Sequence, residues 1–263
     1  MESLNRRTAM RAGLAIAATP FVAGVASADV RSTDVGASAF KQKWAANPGV
    51  DGLRAFVGIE DDRANSHPSA THIFAEQDQY RFVMHRVDRD GSDRQRNEVR
   101  AIQQNGSRQD MKKSETWRFD YQMYVPASLK GTTSFTHIFQ VKHTAAASPV
   151  VTMSLFRSGS AETVEMRLFG AGQAKLGSTP LAPLRNRWID VEIEIKVADS
   201  GRLRYSLKDG ATTVVNASRS GFDTWLGGDQ AHPKWGIYRS LGDSAQLQDT
   251  YLLLRNMKAF RDE

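Results

Sequence analysis

In the stretch Trp188-Ile-Asp-Val-Glu-Ile-Glu-Ile-Lys-Val197, the apolar residues Ile189, Val191, Ile193, Ile195 and Val197 alternate with Asp190, Glu192, Glu194 and Lys196. Successive side chains on a strand point to opposite faces, so ten residues of this pattern specify a strand with one dry and one wet face. Working outward, similar segments recur at Tyr80 to Asp88, Arg94 to Gln104, Thr116 to Val125, Phe135 to His143, Val150 to Arg157 and Thr163 to Phe169. Tyr205 to Leu207 and Thr212 to Val215 flank Lys208-Asp209-Gly210-Ala211, whose Asp-Gly predicts a hairpin turn. Trp235 to Tyr238 and Tyr251 to Phe260 complete the series. More than ten short strands without helix-length segments between them predict an all-β fold. The expected architecture is a jelly-roll sandwich of two antiparallel sheets, concanavalin A-like, with little helix. One short helix is expected at Ala37 to Ala46, where Phe40 and Trp44 lie four apart before Asn47-Pro48-Gly49.

The chain has 263 residues, 35 Lys+Arg, 29 Asp+Glu and no Cys. The missing cysteines exclude a disulfide scaffold, a zinc–thiolate site, an iron–sulfur centre and a thiol nucleophile. At the start, Arg6, Arg7 and Arg11 precede a mildly apolar run from Ala12 to Val25 and then Ala26-Ser27-Ala28. A charged region, a short apolar region and small residues at a cleavage position are the signature of a bacterial export signal. The arginine pair suggests the twin-arginine route, with Ala9 where a bulky apolar residue is usual. Residues 1–28 are therefore expected to be an export signal, and 29–263 a single domain that is secreted or periplasmic, monomeric and free of membrane. Removing Glu2, Arg6, Arg7 and Arg11 with that segment lowers the formal charge from +6 to +4. This mild surplus favours an acidic partner. The scattered basic residues form no nucleic-acid motif.

Three strands carry polar residues at period two. In Arg96-Asn97-Glu98-Val99-Arg100, Arg96, Glu98 and Arg100 share a face. In Ile138-Phe139-Gln140-Val141-Lys142-His143, Ile138, Gln140 and Lys142 share one face, and Phe139, Val141 and His143 the other. In Lys234-Trp235-Gly236-Ile237-Tyr238-Arg239, Lys234, Gly236 and Tyr238 align, and Gly236 is expected to leave open space between two functional side chains. One groove can hold all three sets.

In this order and spacing the segments resemble the motif strands of jelly-roll polysaccharide lyases. The alginate-lyase motifs Arg-x-Glu-Leu-Arg, Gln-Ile/Val-His and Lys-x-Gly-x-Tyr correspond to Arg96-Asn-Glu98-Val-Arg100, Gln140-Val-Lys142 and Lys234-Trp-Gly236-Ile-Tyr238. The surrounding Trp117-Arg-Phe-Asp-Tyr121, His137-Ile-Phe-Gln140 and Leu254-Arg-Asn-Met-Lys-Ala-Phe260 look closer to the glucuronan-lyase and heparin-lyase-like branch, over roughly residues 80–260. Two departures stand out: Lys142 occupies the place of the motif histidine, and Ser240 that of a glutamine after the motif tyrosine.

The resemblance implies β-elimination on a uronate polysaccharide, with glucuronan first and alginate second. A base removes the C5 proton and an acid protonates the departing O4. Arg96 and Gln140 are expected to stabilise the enolate-like intermediate, as preorganised donors do at about 3 kcal/mol each. His85, an early-strand histidine, is the expected base and Tyr238 the acid. Lys142, Lys234, Arg100 and Arg239 would hold neighbouring carboxylates, and Glu98 would orient the arginines. His143 is the reserve base if a bulge turns it inward. No catalytic metal or cofactor is expected, while a structural Ca²⁺ on backbone and Asp oxygens stays open.

Two other readings stay open. A retaining glycoside hydrolase needs two carboxylates about 5–5.5 Å apart. The Asp190, Glu192 and Glu194 row offers acids, but its spacing and Lys196 predict a solvated outer face. A non-catalytic carbohydrate-binding module would instead stack sugars on Trp225 or Trp235.

Overall fold

A computed structural model describes residues 39–263. The expected export signal at 1–28 lies outside the described residues. Sixteen strands run in chain order: β1 (Phe40–Ala45), β2 (Phe56–Glu60), β3 (Ile73–Ala75), β4 (Gln79–Met84), β5 (Arg94–Gln104), β6 (Ser107–Gln109), β7 (Thr116–Tyr124), β8 (Thr136–His143), β9 (Pro149–Ser158), β10 (Ala161–Leu168), β11 (Ala174–Pro180), β12 (Trp188–Lys196), β13 (Gly201–Asp209), β14 (Thr212–Phe222), β15 (Ala231–Ser240) and β16 (Thr250–Asp262). They form two eight-stranded antiparallel sheets. One is ordered β14-β13-β12-β7-β16-β4-β3, with β1 beside β16; the other is ordered β11-β10-β9-β8-β15-β5-β2, with β6 beside β5.

Strand β12 realises the alternation that predicted it. Ile189, Val191, Ile193 and Ile195 are buried, while on the opposite face Glu192 and Glu194 pair with Arg204 and Arg202 of the neighbouring β13. Between the sheets, Trp44, Phe56, Tyr80, Phe119, Tyr121, Phe139 and Trp235 form a chain of tilted and edge-on ring contacts at 4.9–6.3 Å between centroids. Such pairs add to the burial of their area, at about 0.5–1.5 kcal/mol each.

The helix expected around Ala37 to Ala46 is instead β1, paired with β16 from Phe40 to Ala45. The pairing shifts register between Gln42 and Trp44, so the four-residue spacing of Phe40 and Trp44 belongs to a bulged strand. Among the described residues, helical structure is limited to Pro48–Asp51 and a few single turns.

Two irregularities interrupt the centre of the second sheet. His137 pairs with Ser154 and Phe139 with Met153, leaving Ile138 as an extra residue against β9. On the other side, β15 places Gly236 and Ile237 opposite Ile138 alone. Gly236 has φ +136°. A Cβ there would lie 2.2 Å from Asn97 O and 2.7 Å from Glu98 Cα, so the position is a close backbone approach to β5 rather than the open space expected. Strain at such a φ and contact with unyielding backbone together imply that Gly236→Ala loses about 2–5 kcal/mol of stability in denaturant unfolding. A loss below about 0.5 kcal/mol would contradict this account of the bulge.

Candidate active site

Strands β5, β8 and β15 lie side by side, with β15 in the middle. Their register sets Tyr238 against Arg96 and His137, and Lys234 against Arg100 and Gln140. Above them is a cleft of about 380 Å³ whose lining includes Arg94, Arg96, His137, Gln140, Lys142, Arg167, Lys234 and Tyr238, with Phe135, Phe156 and Phe169 on its walls. Five of these groups are cations, and no carboxylate among the described residues lines the cleft.

The acids sit behind the surface. Glu98 is fully buried. It accepts from Gln140 Nε2 at 2.6 Å and from Lys234 Nζ at 2.7 Å, with Arg96 Nη1 at 3.5 Å. Glu60, on β2, accepts from the same Lys234 Nζ at 2.7 Å and from Arg96 Nη1 at 3.3 Å. Burial alone would raise the Glu60 carboxyl, but Lys234, Arg96 and Arg63 outweigh it and hold it below the usual range. Arg96 is further tied by Nε to Asp90 at 2.8 Å, and its guanidinium carbon lies 4.0 Å from the centroid of the Tyr238 ring. The Tyr238 hydroxyl accepts from Arg94 Nη1 at 2.8 Å.

Lys142 makes no ion pair among the described residues. Its ammonium donates to the carbonyls of Ala146 and Ala147, and burial, with Lys234 and Arg96 nearby, lowers its pKa. A cation held by carbonyls beside like charges favours an incoming anion.

The sequence pattern does not point to His137. The extra residue Ile138 turns it onto the Gln140 face, where its ring lies 5.5 Å from that of Tyr238 and stacks on Phe135 at 5.0 Å. Its Nδ1 lies 2.6 Å from Ser154 Oγ, which in turn donates to Thr152 Oγ1 at 3.2 Å. That chain assigns the proton to Nδ1 and the lone pair to Nε2. Burial, reinforced by Arg96, Lys234 and Arg167, lowers its pKa to about 3, so the ring is neutral at ordinary pH.

Four expected site residues lie elsewhere. His85 comes just after β4, which belongs to the other sheet, and its ring packs against His67 and His72 at 4.8 and 5.2 Å. Arg239 succeeds Tyr238 and therefore points to the opposite face. It is fully buried, donating to Gln95 Oε1 at 2.5 Å and to the Gln248 carbonyl at 3.0 Å. His143 is buried against Trp225, 4.4 Å between centroids. Arg100 reaches Glu60 at 3.6 Å and stays outside the cleft lining. Glu98 orients Arg96, Gln140 and Lys234 rather than two arginines. Trp235 is 1% exposed and Trp225 9%, so neither offers the open ring face that a stacking sugar needs.

No protein-family model matches the sequence, and a search of curated proteins finds no match. Solved structures do match. Alginate lyase A1-II', a member of polysaccharide lyase family 7, aligns at TM-score 0.56 and 14% identity, over 83% of this chain and 100% of its own. Endo-β-1,4-glucuronan lyase from the fungus Trichoderma reesei aligns at 0.54 and 9%, over 83% and 95%. An alginate lyase from Pseudomonas aeruginosa aligns at 0.51 and 14%, over 72% and 85%. At these identities the likeness is one of fold: the described chain has the jelly-roll sandwich seen in these polysaccharide lyases.

Proposed function

We propose that this protein is a polysaccharide lyase that cleaves a uronate-containing chain by β-elimination. The observation that carries the reading is the cleft itself, with cations, an amide, a phenol and a neutral imidazole at its surface and its carboxylates withdrawn behind them. A hydrolase on the same fold needs two carboxylates facing the glycosidic bond. Here Asp190, Glu192 and Glu194 occupy the outer face of the other sheet, bonded to Gln122, Arg204 and Arg202.

In the proposed reaction the substrate carboxylate lies among Lys142, Gln140 and Arg96. As C5 loses its proton, charge moves onto that carboxylate, and these donors stabilise the dianionic intermediate. His137 replaces His85 as the base: its Nε2 takes the C5 proton, the C4–O4 bond breaks as C4=C5 forms, and the Tyr238 hydroxyl protonates O4. Arg94 and Arg96 face the phenolate that results. Return of the proton from His137 to Tyr238, adjacent rings in the cleft, resets the site. Burial is the main reason free His137 is unprotonated, and an incoming carboxylate offsets the smaller contribution of Arg96 and Lys234. Glucuronan is the first candidate substrate and alginate the second, because Lys142 stands where the alginate-lyase motif has a histidine.

Incubation with glucuronan, alginate, heparin and hyaluronan, monitored by ultraviolet absorbance of the new conjugated double bond, is expected to show a rise with glucuronan and a smaller one with alginate. No rise on any of the four rejects the lyase reading. Tyr238→Phe is expected to lower turnover about 10²-fold or more while oligosaccharide affinity measured by calorimetry changes only a few-fold. Retained turnover would remove Tyr238 from the chemistry. Because His137 stays neutral down to about pH 3, kcat/KM should hold between pH 7 and pH 5. An acid limb centred at the ordinary histidine value near 6.5 would contradict its assignment as base.

A further inference from the structure

A second cluster lies at the junction of the two sheets. The segment after β2 carries His67 and His72, and the turn after β4 carries His85 and Asp88. One ligand atom from each of these four residues lies within 4.8 Å of the others. Asp88 is at the centre: its Oδ1 is 3.0 Å from His67 Nδ1 and 3.3 Å from His72 Nε2, and its Oδ2 is 3.5 Å from His85 Nδ1.

Hydrogen bonds around the cluster fix how these groups present themselves. His72 is fully buried and its Nδ1 lies 2.6 Å from Asp61 Oδ1, which places a ring proton on Nδ1 and leaves Nε2 as the atom turned to the cluster. That Nε2 has no hydrogen-bond partner among the described residues and lies 3.3 Å from Asp88 Oδ1, so an unpartnered nitrogen and a carboxylate face one another inside the protein. His85 Nδ1 is a second buried nitrogen without a partner among the described residues. The turn that holds Asp88 is rigid: Gln95 Nε2 donates to the carbonyls of His85, Arg86 and Asp88 at 2.9, 3.1 and 2.7 Å, and the His85 amide donates to Asp88 Oδ2 at 2.6 Å.

We infer that His67, His72, His85 and Asp88 form a structural site for a divalent ion of the zinc type. Three imidazoles and one carboxylate match the donors that zinc takes in four-coordinate sites, whereas calcium takes six to eight oxygens. A tetrahedral set with bonds of about 2.0–2.1 Å has donors roughly 3.3 Å apart; Asp88 Oδ1 lies 3.0 and 3.3 Å from the His67 and His72 nitrogens, and the whole set of four lies within 4.8 Å. Asp61 supplies the outer carboxylate that commonly orients a ligating histidine. With four protein ligands the site is closed, and its role is to staple the 61–72 segment to the 85–88 turn. The staple reaches the cleft: Ser66 Oγ accepts from the Arg89 amide at 2.7 Å, and the next residue, Asp90, holds Arg96.

The test uses the full chain, stripped with a chelator, dialysed and titrated with zinc chloride, with calcium chloride in parallel. Wild type is expected to bind one equivalent of zinc and to melt several degrees higher with it, while calcium does neither. Cobalt(II) should give the intense visible absorption of a tetrahedral ion. His67→Gln and His85→Gln, both at partly exposed side chains, should weaken zinc binding about tenfold or more and leave the melting temperature of the metal-free chain nearly unchanged. Absence of a saturable one-equivalent titration in wild type, or wild-type affinity in both variants, overturns the proposal. His72→Ala is a weaker probe because its burial couples it to folding.

Discussion

The Glu98 carboxylate, fully buried on β5, is the constraint on which the cleft depends. An uncompensated charge at that depth costs several kcal/mol, so its lone pairs must be met by donors of fixed position. The donors are Gln140 from β8 and Lys234 from β15, with Arg96 of its own strand beyond them. Each bond also satisfies a constraint on the donor's side, because Lys234 is 4% and Gln140 3% exposed. Glu60 adds a second carboxylate to Lys234, so an ammonium sits between two acids. One carboxylate thus orders side chains from three neighbouring strands. The ordering is finished before any ligand arrives, which is what electrostatic preorganisation requires.

This network also decides the sign of the surface. Lys234 and Arg96 are largely neutralised from beneath by Glu60, Glu98 and Asp90. Lys142 and Arg94 are the less compensated groups: the first is held by carbonyls, and the second by the exposed Asp93 and the Tyr238 hydroxyl. An anionic sugar therefore meets its attraction at the ends of the Gln140 to Tyr238 row, while the centre of the row carries hydrogen-bond donors with little net charge. That division suits a reaction in which charge must grow on a carboxylate already bound.

Period-two alternation makes most of the sheet legible in the sequence, because burying one face writes the strand directly into residue order. The face shared by Arg96 and Glu98, and the convergence of Gln140, Lys142, Lys234 and Tyr238, come from the same rule. Arg239 obeys it too, and the rule itself assigns Arg239 to the face opposite Tyr238. What alternation cannot carry is a bulge. Ile138 is an ordinary apolar strand residue, and nothing in Thr136-His137-Ile138-Phe139 marks it as the extra one. A period-two count therefore puts His137 with the core-facing Phe139 and leaves His85 as the imidazole. Gly236, the φ-permissive residue facing Ile138, is the available signal. Glu60 escapes the pattern for a different reason: β2 is five residues long and its acid reads as solvated until β5 is laid beside it.

The true position of His85 explains a second feature of the sequence. A strand that ended in a lone catalytic histidine would need no acid three residues later and no buried Gln95 gripping the turn behind it. Those features make sense if the turn's task is to hold Asp88 and His85 against His67 and His72. Both segments cross between the sheets: residues 61–72 lead from β2, which pairs with β5, to β3, which pairs with β4, and the 85–88 turn begins the return from β4 to β5. A sandwich without disulfides is weakest where chain crosses between its layers, because no ladder hydrogen bonds extend there. This crossing also ends beside Asp90, which braces Arg96 from the loop side and is itself held by Arg63. Looseness there would reach the guanidinium over the Tyr238 ring, so order at the edge of the sheets and order in the cleft are one mechanical problem.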